Sequence, residues 1–316
     1  MRICLITPAP PNSRSGNRCT AARWASIFRS LGHKVDIAVD YDGSPADAML
    51  ALHAWRSAAS IERFHQKYPE QPLIVSLTGT DAYRFIHTHK KTTLRSIELA
   101  DHLVGLHSLI GNTVPEEFRH KVHVIYQSAQ AINKRQPVKR SFRVCVAGHL
   151  RDEKDSLRPA YAVRNLPQNS RIQVHHFGKA HTPEWAEQAK QEMSNNPRYQ
   201  WHGEVAHHQI RRAYSQSHVL ILPSRMEGGA NVISESIIAG LPVIASNIEG
   251  SIGLLGEDYP GYYPVEDELA LRDVLLRAES DKQFYTELKS SCNARRELFR
   301  PETETESWKQ LLSNII

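Results

Sequence analysis

Short apolar runs alternate along this chain with longer segments in which apolar residues recur every three or four positions. In roughly the first 126 residues the runs predict six strands, and the longer segments predict the helices between them. The predicted strands are Arg2–Thr7, Lys34–Val39, Ala48–His53, Leu73–Leu77, His102–Leu106 and Val122–Tyr126, and the predicted helices are Asn17–Leu31, Ser57–Gln66 and Thr92–Ala100. Strands that alternate with helices at this spacing predict an α/β unit with a parallel sheet.

The alternation lapses between Ala129 and Ser141, where the sequence is polar and basic, and this segment is predicted to be a short solvated hinge. It then resumes with strands near Phe142, Ile172–Phe177, Tyr199–His202, Val219–Leu222 and Val243–Ala245, and a last helix covers about Glu302–Ile315. We therefore predict two Rossmann-like, doubly wound domains, residues 1–138 and 139–300, and a C-terminal helix, residues 301–316, that packs on the first domain.

Ligands of a parallel α/β sheet bind just outside the carboxyl ends of its strands. In the first domain this rule selects polar residues that directly follow three predicted strands. The candidate acceptor-binding residues are Arg14, Gly16, Asn17, Arg18, His53, Arg56, Thr80 and Asp81.

The stretch Pro223–Ser246 combines a buried strand, a double glycine and a helix start, with Asn231 as the predicted N-cap. Bare backbone at a helix N-terminus favours phosphate. The carboxylates of Glu227 and Glu235 would instead accept hydrogen bonds from the hydroxyls of a ribose or hexose. This combination indicates a nucleotide-sugar site, and its remaining candidate residues are Gly228, Gly229, Ala230 and Val232.

Glu227 and Glu235, with seven residues between them, resemble the E-x₇-E signature of retaining GT-B glycosyltransferases. The resemblance implies a GT-B fold in which the two domains face a central cleft. It assigns Glu227 to the donor sugar, Glu235 to the ribose and the amides of residues 228–232 to the leaving diphosphate. Stabilising that developing charge is expected to do most of the catalytic work.

A second segment of the chain, residues 148–154, is similar to the G-R-L-x-x-E-K segment of the same family. The resemblance assigns Lys154 to the diphosphate. His149 replaces the family arginine, and a mostly neutral imidazole lacks the bidentate charge of a guanidinium, so Arg151 is expected to supply that charge. Residues 199–205, which end at Val205, resemble the turn that contacts uracil and favour UDP over other nucleotides.

Composition narrows the function further. The chain of 316 residues has a net charge of +5, which suits anionic ligands without requiring nucleic acid. Its four cysteines are widely spaced, which favours a reduced, cytoplasmic protein, and adjacent histidine pairs would point apart, so that no metal site is expected. The D-x-D triplet at Asp40–Asp42 is interpreted as an exposed turn. No cofactor is expected, because the UDP-sugar is a substrate.

The strings LHAWRSAASI, LTGTD, IYQSAQ and GHLRDEKD together resemble the selenosugar synthases of bacterial selenoneine biosynthesis. The resemblance implies that a UDP-sugar, UDP-N-acetylglucosamine or UDP-glucose, reacts with selenophosphate to form a carbon–selenium bond. It also implies a functional link to an enzyme that makes selenophosphate. Two other interpretations stay open from the residues: a glycosyltransferase for a lipid or polysaccharide acceptor, suggested by Arg84–Lys91, and a non-catalytic sugar-nucleotide sensor. Stable membrane association is not expected.

Overall fold

The computed structural model describes residues 1–13, 15–132 and 135–315, and their contacts divide the chain into two compact units. The first unit contains Met1–Gln127, the short segment Glu227–Gly229 and the residues from Pro301 onward. The second contains Ser128–Met226 and Ala230–Arg300. Each unit has one sheet of six strands, all paired in parallel, so the predicted α/β architecture with two parallel sheets is confirmed.

The first sheet has the strand order β2-β1-β3-β4-β5-β6. Its strands are β1 (Arg2–Ile6), β2 (Lys34–Ala38), β3 (Ala48–Leu52), β4 (Leu73–Leu77), β5 (His102–Gly105) and β6 (Val122–Val124). The helices of this part of the chain are α1 (Gly16–Ser30), α2 (Ala58–Lys67), α3 (Ile86–Thr88) and α4 (Lys90–Leu99). A π-helical turn, Asp81–Phe85, and two 3₁₀ turns, Ile110–Thr113 and Glu116–Lys121, complete it.

The apolar runs of β3 and β4 are buried at every position, as expected for central parallel strands covered on both faces. Two separate clusters of buried apolar side chains lie against this sheet, one containing Phe64 and Ile97 and the other containing Trp24 and Phe28. The prediction differs at the end of β3. His53, expected within the strand, lies just beyond it with a φ of +76°.

The second sheet has the order β12-β11-β10-β7-β8-β9. Its strands are β7 (Phe142–Ala147), β8 (Ile172–Phe177), β9 (Tyr199–Trp201), β10 (Val219–Leu222), β11 (Val243–Ser246) and β12 (Tyr262–Tyr263). Its helices are α5 (Arg158–Ala162), α6 (Pro183–Asn195), α7 (His207–Gln216), α8 (Asn231–Ile238), α9 (Glu249–Leu255), α10 (Glu268–Ser280) and α11 (Lys282–Ala294). There are also 3₁₀ turns at Asp152–Lys154 and Arg296–Phe299.

The last helix, α12 (Pro301–Ser313), follows the second unit in sequence but packs within the first. Trp308 is fully buried, and its ring centroid lies 4.8 Å from those of both Trp24 and Phe28 on α1, in edge-to-face contacts. The buried carboxylate of Glu304 accepts a 2.8 Å hydrogen bond from the indole of Trp24. The return of the C-terminal helix to the N-terminal fold is therefore built on aromatic packing and one buried acceptor.

The segment predicted to be a solvated hinge has exposed residues, among them Lys139 and Arg140, and it is also hydrogen-bonded to the second unit. The backbone N–H groups of Gln136 and Val138 donate to the carbonyls of Ser215 and Gln216 at the end of α7. The guanidinium of Arg135 donates to the carbonyls of Gly240 and Ser217. The basic side chains of such a segment can satisfy exposed helix-end carbonyls, which the composition alone did not indicate.

Each sheet has one point at which the strand order reverses. In the first sheet the chain moves outward from β1 to β2 and then returns to place β3 on the other side of β1. In the second it moves from β7 through β8 to β9 and then returns to place β10 beside β7. Loops that leave the carboxyl ends of two such strands diverge and leave a crevice for a ligand. By this rule, a ligand of the first sheet is expected between the loops after β1 and β3, and a ligand of the second sheet between the loops after β7 and β10.

Candidate active site

The loop between β10 and α8 carries the double glycine. The backbone of α8 begins at Asn231, and the N-cap is Ala230, in an extended conformation and without a side-chain hydrogen bond. The prediction that Asn231 caps this helix is wrong, because the chain becomes helical one residue earlier than the pattern indicates. The side chain of alanine has no oxygen, so it cannot accept a hydrogen bond from the N–H groups of the first turn of α8.

Close backbone approach explains why glycine stands at position 228. Within the first unit, a Cβ atom on Gly228 would lie 2.3 Å from the amide nitrogen of Gly79, and one on Gly79 would lie 2.8 Å from that of Gly228. Gly79 also has a φ of +126°, which favours glycine. Neither residue can carry a side chain unless the backbone moves. The same segment includes Glu227, whose side chain is buried.

Glu235 is fixed by a residue that the sequence analysis did not select. The hydroxyl of Tyr214, on α7, donates a 2.7 Å hydrogen bond to Oε2 of Glu235. Oε1 lies 4.0 Å from Nε2 of His207, and the Glu235 side chain is 29% exposed. In the sequence, Tyr214 belongs to the apolar face of an amphipathic helix, so nothing there signals that its hydroxyl meets a carboxylate of the next helix.

A buried histidine holds the turn after β7. Nε2 of His176 is 2.9 Å from the carbonyl oxygen of Gly148, and a carbonyl can only accept, so Nε2 carries the proton. Nδ1 then accepts from the hydroxyl of Tyr199 at 2.8 Å. Burial lowers the pKa of His176 to about 4, which keeps the ring neutral and this arrangement intact. Gly178 lies against the same turn, since a Cβ there would be 2.0 Å from the Gly148 carbonyl oxygen.

His149 presents a neutral donor. Its Nδ1 accepts a 3.1 Å hydrogen bond from the backbone N–H of Lys179, which assigns the ring proton to Nε2. Burial, followed by the positive charge of Arg151, lowers the pKa of His149. The hydroxyl of Ser156 donates to the His149 carbonyl at 2.9 Å and fixes the backbone. His149 is therefore held as an uncharged N–H donor.

Arg225 holds the turn that contains Arg151 and Lys154. The guanidinium of Arg225 contacts the side chain of Asp152 at 2.7 Å and that of Glu266 at 2.6 Å. The backbone N–H of Arg225 donates to the carbonyl of Glu153. Because Arg225 lies in the β10–α8 loop, these bonds join that loop to the turn after β7. The sequence analysis missed this residue, whose only signal is a cation two positions before Glu227.

The acceptor candidates follow β1, β3 and β4, which are consecutive neighbours in the first sheet. Gly16, Asn17 and Arg18 form the first turn of α1, and a Cβ on Gly16 would meet no atom within 4 Å. Arg56 is exposed beyond β3. Arg14 lies outside the described residues. The topology thus brings the three predicted segments to one edge of the sheet.

Two of these candidates, His53 and Thr80, are joined by a hydrogen bond whose direction can be assigned. Nδ1 of His53 accepts from the backbone N–H of Arg56, so Nε2 carries the proton and donates to the Thr80 hydroxyl at 3.0 Å. Burial lowers the pKa of His53, and the ring stays neutral. Since Thr80 accepts this bond, its own hydroxyl proton points away from His53.

Asp81 has a different environment from the other candidates. It is fully buried, and one oxygen accepts from the backbone N–H groups of Thr78 and Gly79 while the other accepts from that of Ala54. These bonds fasten the loop after β3 to the loop after β4. The carboxylate is thereby committed to the backbone of both loops.

A model of the family described as "Glycosyl transferases group 1" matches residues 127–295, more than half of the chain. The protein belongs to the group 1 glycosyl transferases. The match includes every donor candidate, from His149 through Val205, which lies in the turn between β9 and α7, to Glu235. No curated protein sequence matches the chain significantly.

Solved structures resemble this glycosyltransferase over its whole length. Alr3699/HepE of Anabaena, solved with UDP-glucose, is 15% identical, with a TM-score of 0.78 over 99% of this chain and 100% of that one. Sucrose-phosphate synthase of Thermosynechococcus elongatus is 16% identical, with a TM-score of 0.79 over 99% and 98%. The lipopolysaccharide outer core galactosyltransferase WaaB is 13% identical, with a TM-score of 0.72 over 100% of both chains. At these identities the likeness concerns the fold, which is GT-B.

The described residues of this glycosyltransferase include neither a cluster of potential metal ligands nor a helix that could span a membrane. Within residues 1–13, 15–132 and 135–315, no group of three or more His, Cys, Asp or Glu side chains is arranged to hold a metal ion. No helix among them is long and apolar enough to cross a membrane. In the D-x-D triplet, Asp40 and Asp42 are exposed, whereas Tyr41 is buried.

The buried imidazole of His176 predicts acid sensitivity of the second unit. Its pKa is about 4 in the folded protein and near 6.5 when unfolded, so the unfolded state binds more protons between these values. The free energy of unfolding should fall as the pH drops through this range, with a contribution from His176 of roughly 2 kcal/mol at about pH 5. Urea titrations at several pH values measure this.

In the variant His176→Gln, the pH dependence of unfolding should be flatter by about one bound proton. The matched control is His208→Gln, a change at an exposed residue of the same unit, which should keep the wild-type dependence. An unchanged slope in His176→Gln would contradict the assignment of a neutral, proton-poor His176.

Proposed function

We propose that this glycosyltransferase moves a hexosyl group, N-acetylglucosaminyl or glucosyl, from a UDP-sugar to selenophosphate. An electron pair on selenium forms the bond to the anomeric carbon while the bond from that carbon to the diphosphate oxygen breaks, and UDP leaves with the electron pair of the broken carbon–oxygen bond. Hydrolysis of the selenium–phosphorus bond by one water then gives the selenosugar and phosphate. The observation that carries the proposal is the placement of a carboxylate-and-amide loop and a cation-bearing turn on neighbouring strands, β10 and β7, at the order reversal of the second sheet.

The donor diphosphate would bind the amides at the start of α8, with Lys154 and Arg151 as cations and His149 as a neutral donor. Three observations support this: the N-cap side chain offers no acceptor, the turn is held by Arg225, and the imidazole proton is on Nε2. Helix N-termini are established anion sites. The Anabaena protein of the same fold was solved with UDP-glucose, which supports UDP as the nucleotide.

Glu227 would orient the donor hexose, and Glu235 would accept hydrogen bonds from the ribose hydroxyls. The support is chemical. A carboxylate beside the diphosphate would repel it, whereas a carboxylate beside neutral hydroxyls gains charge-assisted hydrogen bonds. Glu235 is partly exposed and already held on one side by Tyr214, so that it is available in a fixed orientation.

Selenophosphate would bind the first unit, at the start of α1 and beside Arg18, Arg56 and Thr80. The first turn of α1 has open space at Gly16, and the Thr80 hydroxyl is oriented by His53. Two phosphoryl anions at a few Å repel each other by several kcal/mol at intermediate dielectric, so an anionic acceptor requires cations beyond those of the donor site. The functional link to an enzyme that makes selenophosphate follows from this choice of acceptor.

One observation favours a second candidate, a glycosyltransferase for a lipid or polysaccharide. The rings of Trp55 and Phe85 stack with centroids 4.1 Å apart and are both partly exposed. Exposed His89, Lys90 and Lys91 follow in sequence. An aromatic surface flanked by cations could accept a sugar face or an anionic lipid.

The deciding experiment is mass spectrometry of the products after incubation of the protein with selenophosphate and either UDP-N-acetylglucosamine or UDP-glucose. EDTA is included, since no metal is proposed for catalysis. We expect a selenosugar that requires both substrates, and UDP as the second product. If UDP-sugar is consumed only when lipid or polysaccharide acceptors are added, the second candidate function replaces the first. If UDP-sugar is bound but never consumed, the protein is a sensor.

The proposed role of Glu235 predicts how much UDP affinity is lost when this residue is replaced. Glu235→Ala should weaken UDP binding by about 1.5–3 kcal/mol, the value for hydrogen bonds to a charged acceptor. Isothermal titration calorimetry measures this. Glu187→Ala, at an exposed position on α6, is the matched control and should bind UDP as the wild type does. Unchanged affinity in folded Glu235→Ala protein would remove this residue from the ribose site.

The acceptor assignment predicts a kinetic difference between the two substrates. Arg18→Ala or Arg56→Ala should raise the KM for selenophosphate by about tenfold, because a charge-assisted contact is lost. Neither change should affect UDP affinity, since both residues belong to the first unit and the diphosphate cations to the second. Arg95→Ala, which removes an exposed arginine on α4, controls for net charge. Wild-type selenophosphate kinetics in both variants would refute this placement of the acceptor.

A further inference from the structure

A buried phenol on α7 fixes the carboxylate on α8. Tyr214 is 1% exposed, and its hydroxyl donates a 2.7 Å hydrogen bond to Oε2 of Glu235. The bond joins residues 21 positions apart on two helices of the second unit. A phenol hydroxyl buried without a partner would cost free energy, so the side chain is stable in this site only when the acceptor faces it.

The direction of this bond is fixed by chemistry. A carboxylate oxygen only accepts, and burial together with the Glu235 charge raises the pKa of Tyr214 well above its ordinary value. Tyr214 therefore stays a protonated donor, and Glu235 is favoured as a carboxylate facing it. A donor bonded to a charged acceptor is stronger than a neutral pair, which restricts the rotamers of an otherwise flexible glutamate.

The two carboxylate oxygens consequently have different surroundings. Oε2 is on the side of the buried phenol, whereas Oε1 lies 4.0 Å from Nε2 of His207, whose side chain is 70% exposed. The carboxylate thus has one oxygen bonded to a buried phenol and the other close to an exposed imidazole. A glutamate whose rotamer is fixed in this way can accept from a ligand hydroxyl without first losing its own conformational freedom.

We propose that Tyr214 is a positioning residue, which orients Glu235 so that the nucleotide-binding site recognises ribose hydroxyls and discriminates against deoxyribose. This inference rests on the proposed function, since it takes Glu235 as the ribose acceptor. It extends that function to selection of the sugar of the nucleotide by a residue that does not itself contact it. A site built to bond a hydroxyl rejects an analogue that lacks it.

The experiment compares the affinities of UDP, 2′-deoxy-UDP and 3′-deoxy-UDP by calorimetry. The wild type should bind UDP about tenfold or more tightly than at least one deoxy analogue, as expected when a bond to a charged acceptor is lost. In Tyr214→Phe this ratio should fall severalfold toward one, chiefly because UDP binds more weakly. Tyr214→Met, which fills the buried volume with a flexible apolar side chain, should behave in the same way.

The control is Tyr285→Phe, which removes a hydroxyl of the same unit that donates to the backbone carbonyl of His218 at 2.9 Å. It should keep the wild-type ratio. The ratio is internal to each protein preparation, so partial unfolding of a variant does not change it. A merely structural role for Tyr214 would lower stability but leave the ratio intact.

The outcomes separate the two levels of the proposal. If the wild type does not bind UDP, the proposed donor is wrong. If it binds UDP and both deoxy analogues with the same affinity, Glu235 does not recognise the ribose hydroxyls and the positioning role is overturned. If the wild type discriminates and both folded Tyr214 variants retain that discrimination, the role of Tyr214 is overturned while the UDP-sugar function stands.

Discussion

Parallel pairing of the strands is the constraint on which both candidate sites depend. In a parallel sheet every strand ends at the same edge, so the segments that follow β1, β3 and β4, or β7 and β10, are gathered without any direct sequence relation. The order reversal in each sheet then separates the loops of two neighbouring strands and leaves room for a ligand. Chemistry-bearing residues far apart in the chain, such as His149 and Arg225, come to one edge for this reason.

What holds these loops in place is a set of polar side chains, of which Asp81, His176 and Tyr214 are buried and Arg225 is partly exposed. Asp81 ties the loop after β3 to the loop after β4, and His176 holds the turn after β7 by its carbonyl. Tyr214 fixes Glu235 from the interior, and Arg225 joins the β10–α8 loop to the turn after β7. The three buried groups would be costly if unpaired, so each of them specifies one loop conformation. Candidate ligand groups are thereby held by neighbours that do not themselves face a ligand.

Periodicity and turn chemistry predicted most strands of this protein within one or two residues, because central parallel strands are continuous apolar runs. They also predicted the double-glycine loop between a strand and a helix, which the structure shows between β10 and α8, whereas the role of this loop as a donor site stays a prediction. They misplaced the N-cap at Asn231, where the local backbone conformation decides and the side-chain preference does not. They gave no indication of Tyr214 or His176, because the partners of a buried polar side chain depend on which helices and strands become neighbours. They placed the basic segment before Phe142 in solvent, where Lys139 and Arg140 do lie, but they gave no indication that Arg135 would donate to carbonyls at the ends of two helices.

At the candidate donor site, neutral hydrogen-bond donors accompany the charged side chains. Around the donor loop, the donors with assigned protons are neutral: the N–H groups at the start of α8 and Nε2–H of His149, whose imidazole is kept uncharged by burial and by Arg151. Oriented neutral donors stabilise an anion without requiring a counter-charge to be buried, and they need no reorganisation when charge develops on a leaving diphosphate. The charged groups Arg151 and Lys154 lie on a turn whose conformation is set by Arg225 and its carboxylate partners. A neutral Nε2–H at position 149 would recognise an anion by a directed hydrogen bond and not by bidentate ion pairing, so that geometry would matter more than net charge. Gly148 and His149 are held by a buried imidazole, a serine hydroxyl and a backbone amide. Recognition by directed hydrogen bonds requires such a fixed geometry.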